Sequence, residues 1–426
     1  MKKITLVLFL FISIFQPIPV IGALIGESSQ REVKDFAVRN GLPNFFAKAM
    51  NGDSVKVAYL GGSITAQNGW RVSSLNWFKQ RFPKAKFSEI NAAIGGTGSD
   101  FGVFRLRDHV LNFKPDLVFV EFAVNDGNTA SQKILRSMEG IVRQTLQQNP
   151  FTDICFVYTI KGDYLETEQK GILPNSAENM EKVADHYGIP SINFGFEVAR
   201  MVTNHQLILT GNTLEVNGIK VFSRDGVHPY PETGHVIYQD ILKRSFESMI
   251  PNASVKSSKH KLSRPLVPEY FARTQMVDLK EVKLSKNWKV LNINESPSLS
   301  GFGRYLKFIG KAGQSGETLS LRFKGRAIGA YDVMGPDAGR IVVEIDGAVK
   351  DTIYRFDAYC TYKRMNYFLI DDLKNKRHKI VFKTLCEPFD KALILKKRNE
   401  VIKNADDYKE YNWYVGKILV DGTLLK

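Results

Sequence analysis

Cysteine is scarce in this chain: three in 426 residues, at positions 155, 360 and 386. That number excludes a disulfide framework. Cys155 stands in the apolar run DICFVYTI and reads as a buried thiol. Cys360 and Cys386 could pair in an oxidising compartment, but only if their Cα atoms approach, which sequence does not show. No His and Cys cluster has metal-ligand spacing, so neither a metal nor any other cofactor is expected. Low-complexity tracts are also missing, and so is an apolar run suited to a membrane span. The N-terminal stretch MKKITLVLFLFISIFQPIPVIGA sets two lysines before a short apolar run broken by Gln16 and Pro17. It reads as a signal peptide, 1–23, cleaved near Gly22 and Ala23, with an uncleaved anchor as the alternative. A periplasmic or secreted protein with no membrane span after cleavage is expected. Acidic residues are outnumbered, 44 against 59 Lys and Arg, for a formal net charge of +15. A basic surface favours anionic partners such as an acidic polysaccharide, although a merely solvated surface is the plainer reading. The lysines are scattered and no nucleic-acid-binding signature occurs, so nucleic acid is not an expected partner.

What is present falls into two halves with different rhythms. Over 53–250, strand-like runs (55–60, 87–93, 116–124, 153–160 and 190–194) alternate with helical patterns at 70–82, 101–113, 131–148, 176–187 and 232–249. The third run is apolar with little alternation, as suits a strand covered on both faces. Alternation of this kind implies a parallel sheet in a three-layer α/β domain, with any site beyond the C-terminal strand ends. Residues 24–52 precede it as a partly helical lead-in. A polar, Pro-containing linker follows at 251–269. Over 270–426 the runs become short and alternating (TLSLRFKG, AIGAYDV, RIVVEIDG, KIVFKT, WYVGKILVDG), which suggests a β-sandwich or jelly roll. Its aromatic residues Tyr354, Phe356, Tyr359, Tyr362 and Tyr367 suit a core first and a sugar platform second.

Four stretches carry candidate chemistry. GGSIT (61–65) leaves the first strand through two glycines and presents Ser63; an ordinary strand-to-helix turn would look the same. INAAIGGTGSDFG (90–102) again stands at a strand end, and its glycines let a backbone N–H approach a developing oxyanion. As a dinucleotide fingerprint it fails, because Phe101 occupies the third glycine position. VEFAVNDGN (120–128) puts Asn125 just past the buried third strand. SRDGVHPYPETGHVIYQD (223–240) spaces Asp225 and His228 three apart in a Pro-stiffened turn, where a carboxylate can fix the tautomer of an imidazole base. His235, one turn into the following helix, reads as structural.

Taken together, these stretches resemble the four blocks, in order, of the SGNH hydrolase (GDSL esterase/lipase) superfamily, over about residues 53–250. The resemblance implies a flavodoxin-like parallel sheet and a carboxylic ester hydrolase. It implies Ser63 as nucleophile, His228 as base and Asp225 as its partner, with an oxyanion hole from Ser63, Gly96 and Asn125. Asn91 would brace the glycine block. The serine block departs from the family in reading G-G-S-I, with Gly62 where Asp is usual. Secretion, a β-rich partner domain and the lack of a long apolar lid point to an acylated carbohydrate as substrate, with removal of O-acetyl groups as the leading case. Trp70, Tyr164 and Tyr230 are candidate substrate-binding rings. A lysophospholipase or thioesterase of the same fold is one alternative, and a non-catalytic polysaccharide-binding protein is another.

Overall fold

The computed structural model describes residues 34–253 and 257–425. The expected signal peptide and the first part of the expected lead-in fall outside the described residues. In the first half the elements follow as β1 (Phe36–Ala37), α1 (Pro43–Asn51), β2 (Ser54–Gly61), α2 (Ser63–Ala66), α3 (Trp70–Arg81), β3 (Lys86–Asn91), α4 (Ser99–His109), β4 (Leu117–Glu121), α5 (Ser131–Gln148), β5 (Asp153–Tyr158), α6 (Leu165–Gln169), α7 (Asn175–Tyr187), β6 (Ser191–Asn193), α8 (Gly195–Thr203), β7 (Leu207–Thr210), β8 (Glu215–Val216), β9 (Ile219–Ser223) and α9 (Gly234–Met249). The main sheet has the order β1-β6-β5-β4-β2-β3. Its strands are parallel except for the short edge strand β1, which runs antiparallel to β6.

Period-two burial explains the three layers. Along β2, Val55, Val57 and Tyr59 enter one core, with Phe45, Phe78 and Phe246. Ala58 and Leu60 enter the opposite core, with Phe104, Ile141 and Val183. Strands β4 and β5 are buried along their whole length, as suits largely apolar runs covered on both faces, with Glu121 ending one and Asp153 starting the other. From β2 the chain first moves to one side, to β3, and then to the other, to β4. The loops that leave these three strands therefore diverge over one crevice, the switch point where such sheets hold their ligands.

The second half comprises β10 (Thr274–Val277), β11 (Lys283–Leu284), β12 (Lys289–Asn292), β13 (Phe308–Ala312), β14 (Thr318–Met334), β15 (Arg340–Ile345), β16 (Ala348–Tyr354), β17 (Arg364–Ile370), β18 (Lys376–Leu385), the short helix α10 (Lys391–Lys396) and β19 (Trp413–Leu425). These ten strands form one antiparallel assembly. TLSLRFKG and AIGAYDV, expected as separate runs, are one strand. The first part of β14 pairs with β18 and the second with β17. A register shift against β19 between Gly325 and Ala327 takes up the bend.

The two halves share a core. Phe101, Val103 and Phe104 of α4 lie in one apolar cluster with Phe271, Leu306, Tyr331 and Leu419. The connection between them is tied down on the first half: Glu139 accepts from the N–H groups of Leu266 and Val267 at 2.6 and 2.7 Å, and His260 meets Asp153 at 2.6 Å. All three cysteines are free, Cys155 and Cys360 among them buried. No helix among the described residues is long and apolar enough to cross a membrane.

Candidate active site

Ser63 leads the four-residue helix α2 directly after β2, with extended Gly62 as its N-cap. Its Oγ lies 2.8 Å from His228 Nε2. On the other side of the ring, His228 Nδ1 lies 2.7 Å from Asp225 Oδ2. The carboxylate acceptor puts the proton on Nδ1 and leaves Nε2 to accept from the serine hydroxyl. Asp225 Oδ1 also accepts from the backbone N–H groups of Val227 and His228, at 3.0 and 2.8 Å, so the same side chain shapes the turn that carries the histidine. Partial burial works against the carboxylate. The hydrogen bonds from the His228 ring and from these two N–H groups nonetheless hold its carboxyl below the usual range.

The turns after β3 and β4 close on Ser63. Gly95 packs against it: a Cβ at Gly95 would stand 3.4 Å from Ser63 Cβ. Gly96 follows in the left-handed region, φ 72°, and the space its Cβ would take is open. The Asn125 amide lies over Gly62, and a Cβ there would meet Asn125 Oδ1 at 2.0 Å. The Asn125 side chain thus takes the space that a side chain at position 62 would enter. Asn91 Oδ1 accepts from Ala93 N at 3.1 Å within the glycine block.

Sequence reasoning missed the buried polar groups beneath these turns. Glu121, at the end of β4, accepts from Thr65 Oγ1 at 2.7 Å and from Thr159 Oγ1 at 2.9 Å. Burial pushes its carboxyl above the usual range against those bonds and that of the Gly62 N–H. Its signal was available: one acid inside the apolar run VEFAV. Arg105, fully buried in α4, ties the serine and glycine blocks together by donating to Gly61 O at 3.1 Å and to Ala92 O. Asp126, next to Asn125, accepts from Ser99 N at 3.0 Å and so fixes the start of α4 two residues earlier than expected.

Two of the three candidate sugar-binding rings need correction. Trp70 is fully buried between Tyr59, Phe119 and Phe194. Tyr164 is also buried, donating to Ala123 O at 3.0 Å. Neither offers a face to a sugar; both lie near the blocks in sequence but fold inward. Tyr230 is half-buried and donates to Gly211 O at 3.0 Å. In the second half Phe356 is core, Tyr354, Tyr359 and Tyr362 are exposed, and Tyr367 stacks on Phe101. His235 is buried; its Nδ1 accepts from Trp70 N at 3.2 Å, and burial lowers its pKa to about 4. It braces the chain behind the serine. Among the described residues no group of three or more His, Cys, Asp or Glu is placed to hold a metal ion.

Residues 59–232 match the model of the GDSL-like lipase/acylhydrolase family. No curated protein matches the chain in sequence. Among solved structures, a two-domain esterase active on acetylated mannans is similar over nearly the whole length. One crystal structure of it gives a TM-score of 0.68 at 19% identity, covering 92% of this chain and 99% of that one. A second, co-crystallized with mannopentaose, gives 0.66 at 19% identity, covering 89% and 93%. The likeness is one of fold, and it spans both halves.

Proposed function

We propose, from the match of residues 59–232 to the GDSL-like lipase/acylhydrolase family, that the chain is a carboxylic ester hydrolase that removes O-acetyl groups from a polysaccharide through an acyl-serine intermediate. The observation that carries the mechanism is the hydrogen-bonded series Ser63–His228–Asp225 at the switch point of the sheet. Ser63 Oγ attacks the ester carbonyl as its proton passes to His228 Nε2. The imidazolium, steadied by Asp225, returns that proton to the departing sugar hydroxyl, leaving acetyl on Ser63. Water, deprotonated by His228, then attacks the acyl carbon, and acetate leaves as the proton returns to Ser63 Oγ. The oxyanion of each tetrahedral intermediate accepts from the N–H groups of Ser63 and Gly96 and from the Asn125 amide.

A carbohydrate ester is favoured because the fold resembles, through both domains, an esterase active on acetylated mannans. The basic composition suits an anionic polysaccharide as well. The apolar N-terminal run supports export, which would bring the enzyme to polymers outside the cytoplasm.

The test is release of acetate from acetylated mannan and xylan, with p-nitrophenyl esters of increasing chain length beside them. Acetate release and a rate falling steeply beyond the acetyl ester are expected. A preference for octanoate, with no acetate from either polymer, would move the substrate to lipids or thioesters. Asn125→Ala is expected to lower kcat by about 10² to 10³ while the protein still folds, the usual cost of one oxyanion donor. Near-wild-type kcat would remove Asn125 from the site.

A further inference from the structure

We propose that the second domain is part of the esterase machinery: Tyr367 is a positioning residue that, with Tyr305 and Arg304, holds the glycine block where its N–H groups meet the oxyanion. The proposal rests on the reading of Ser63 and the glycine block given above.

The block runs from Asn91 to Ser99 and carries three glycines, so its ordering is entropically costly unless its ends are held. Its first part is fixed by the catalytic domain's own backbone, with Ala92 N donating to Tyr59 O at 2.9 Å and Ile94 N to Gly61 O at 3.0 Å. The second domain reinforces this part: Tyr305 Oη donates to Ala93 O at 2.9 Å and the Arg304 guanidinium donates to Asn91 O. Beyond Ile94 the support changes. Thr97 Oγ1 bonds back to Ile94 O at 2.7 Å, a contact internal to the block. The far end is held at Gly98, Ser99 and Asp100.

There Tyr367 makes two contacts at once. Its phenol donates to Asp100 Oδ1 at 2.6 Å and accepts from Gly98 N at 3.4 Å. Burial and the Asp100 charge push the phenol well above its usual pKa, so it remains a donor. Its ring stacks on Phe101 with centroids 4.7 Å apart and planes at 15°, and Tyr331 packs on the same Phe101 at 4.6 Å. Next to it, Asp126 Oδ1 accepts from Ser99 N. Asp126 follows Asn125 directly in the chain. One short stretch, 98–100, thus joins the glycine block, the asparagine block and the second domain. A shift of this stretch would move two of the three oxyanion donors together, and small misplacements of catalytic groups are costly.

The experiment is Tyr367→Phe, which keeps the ring on Phe101 and removes one oxygen. p-Nitrophenyl acetate is the substrate, since it has no sugar for the second domain to bind. The expected result is a kcat lowered about tenfold, a fraction of the cost of a whole oxyanion donor, with KM and Tm little changed. In an Asn125→Ala background the effect should shrink, as expected of groups that act through one site. Unchanged kcat, or a change confined to KM, overturns the proposal. Should Tyr367→Phe lower Tm by more than about 5 °C, Tyr305→Phe carries the same test at the Ala93 end, and unchanged kcat there overturns it too. Ser63→Ala measured alongside separates the two ideas. Full activity in that variant sinks the reading of the site, whereas an inactive Ser63→Ala beside a wild-type-like Tyr367→Phe sinks only the positioning role.

Discussion

Ser63→Ala is expected to lower kcat on p-nitrophenyl acetate by about 10⁴ to 10⁶, the range reached when a serine nucleophile is lost while the rest of its site persists. The substitution removes one oxygen, whose bonded partner is His228 Nε2. Alanine is a strong helix former, and position 63 opens the short helix α2 after extended Gly62, so the turn and the fold should survive. The backbone N–H of residue 63 remains, as do Gly96 and Asn125. Residual hydrolysis above the water rate, with unaltered Tm, is therefore part of the expected result. Wild-type hydrolysis by a folded Ser63→Ala protein would refute the acyl-serine mechanism.

Asp225→Asn is expected to cost about 10³ to 10⁴ in kcat, the upper figure being that of a fully buried triad aspartate. The amide oxygen can still accept from Val227 N and His228 N, so the turn keeps its shape. The amide NH2, however, now faces His228 Nδ1, which must become an acceptor. The ring proton moves to Nε2, the atom that has to receive the serine proton. Solvent moderates the effect, because the His228 and Asp225 side chains retain 37% and 52% of their accessible surface. Comparison of kcat with KM checks the argument: a fall below tenfold, or one confined to KM, would remove Asp225 from orienting the base.

The four blocks were legible in the sequence because the chain turns at each one, and turns at strand ends leave a local record of glycine, asparagine and proline. The fit of Asp225 to His228 was also local, three residues within one turn. The supports were not legible, because each pairs with a partner far away in the chain. Nothing near Arg105 announces that it reaches Gly61 O, and nothing near Tyr367 announces Gly98. Trp70 misled for the same reason: nearness to Ser63 in sequence says nothing about which side of α3 faces the core. The strands β7 to β9 escaped notice because they are short and partly exposed, without a clean apolar alternation. In β14, two alternating runs on either side of Gly325 looked like two strands, since a bend inside a continuous ladder leaves the mark of a turn.

The hold on the glycine block also bears on when the protein becomes competent during its manufacture. Gly98 and Tyr367 are 269 residues apart, and Asn91 and Arg304 are 213 apart. A growing chain presents its first domain for folding well before those partners exist, and domains made first generally fold first. Tyr367 itself reaches its place only when β17 pairs with the second part of β14, and β19, which pairs with that same part, is synthesised later still. The Ser63–His228–Asp225 series lies wholly within the first domain, while the Tyr367 contacts to Gly98 and Asp100 wait for the second. If Tyr367 positions the glycine block as proposed, about the last tenfold of turnover arrives late, after the second domain has assembled, and a chain caught before β17 has paired with β14 is the slower esterase.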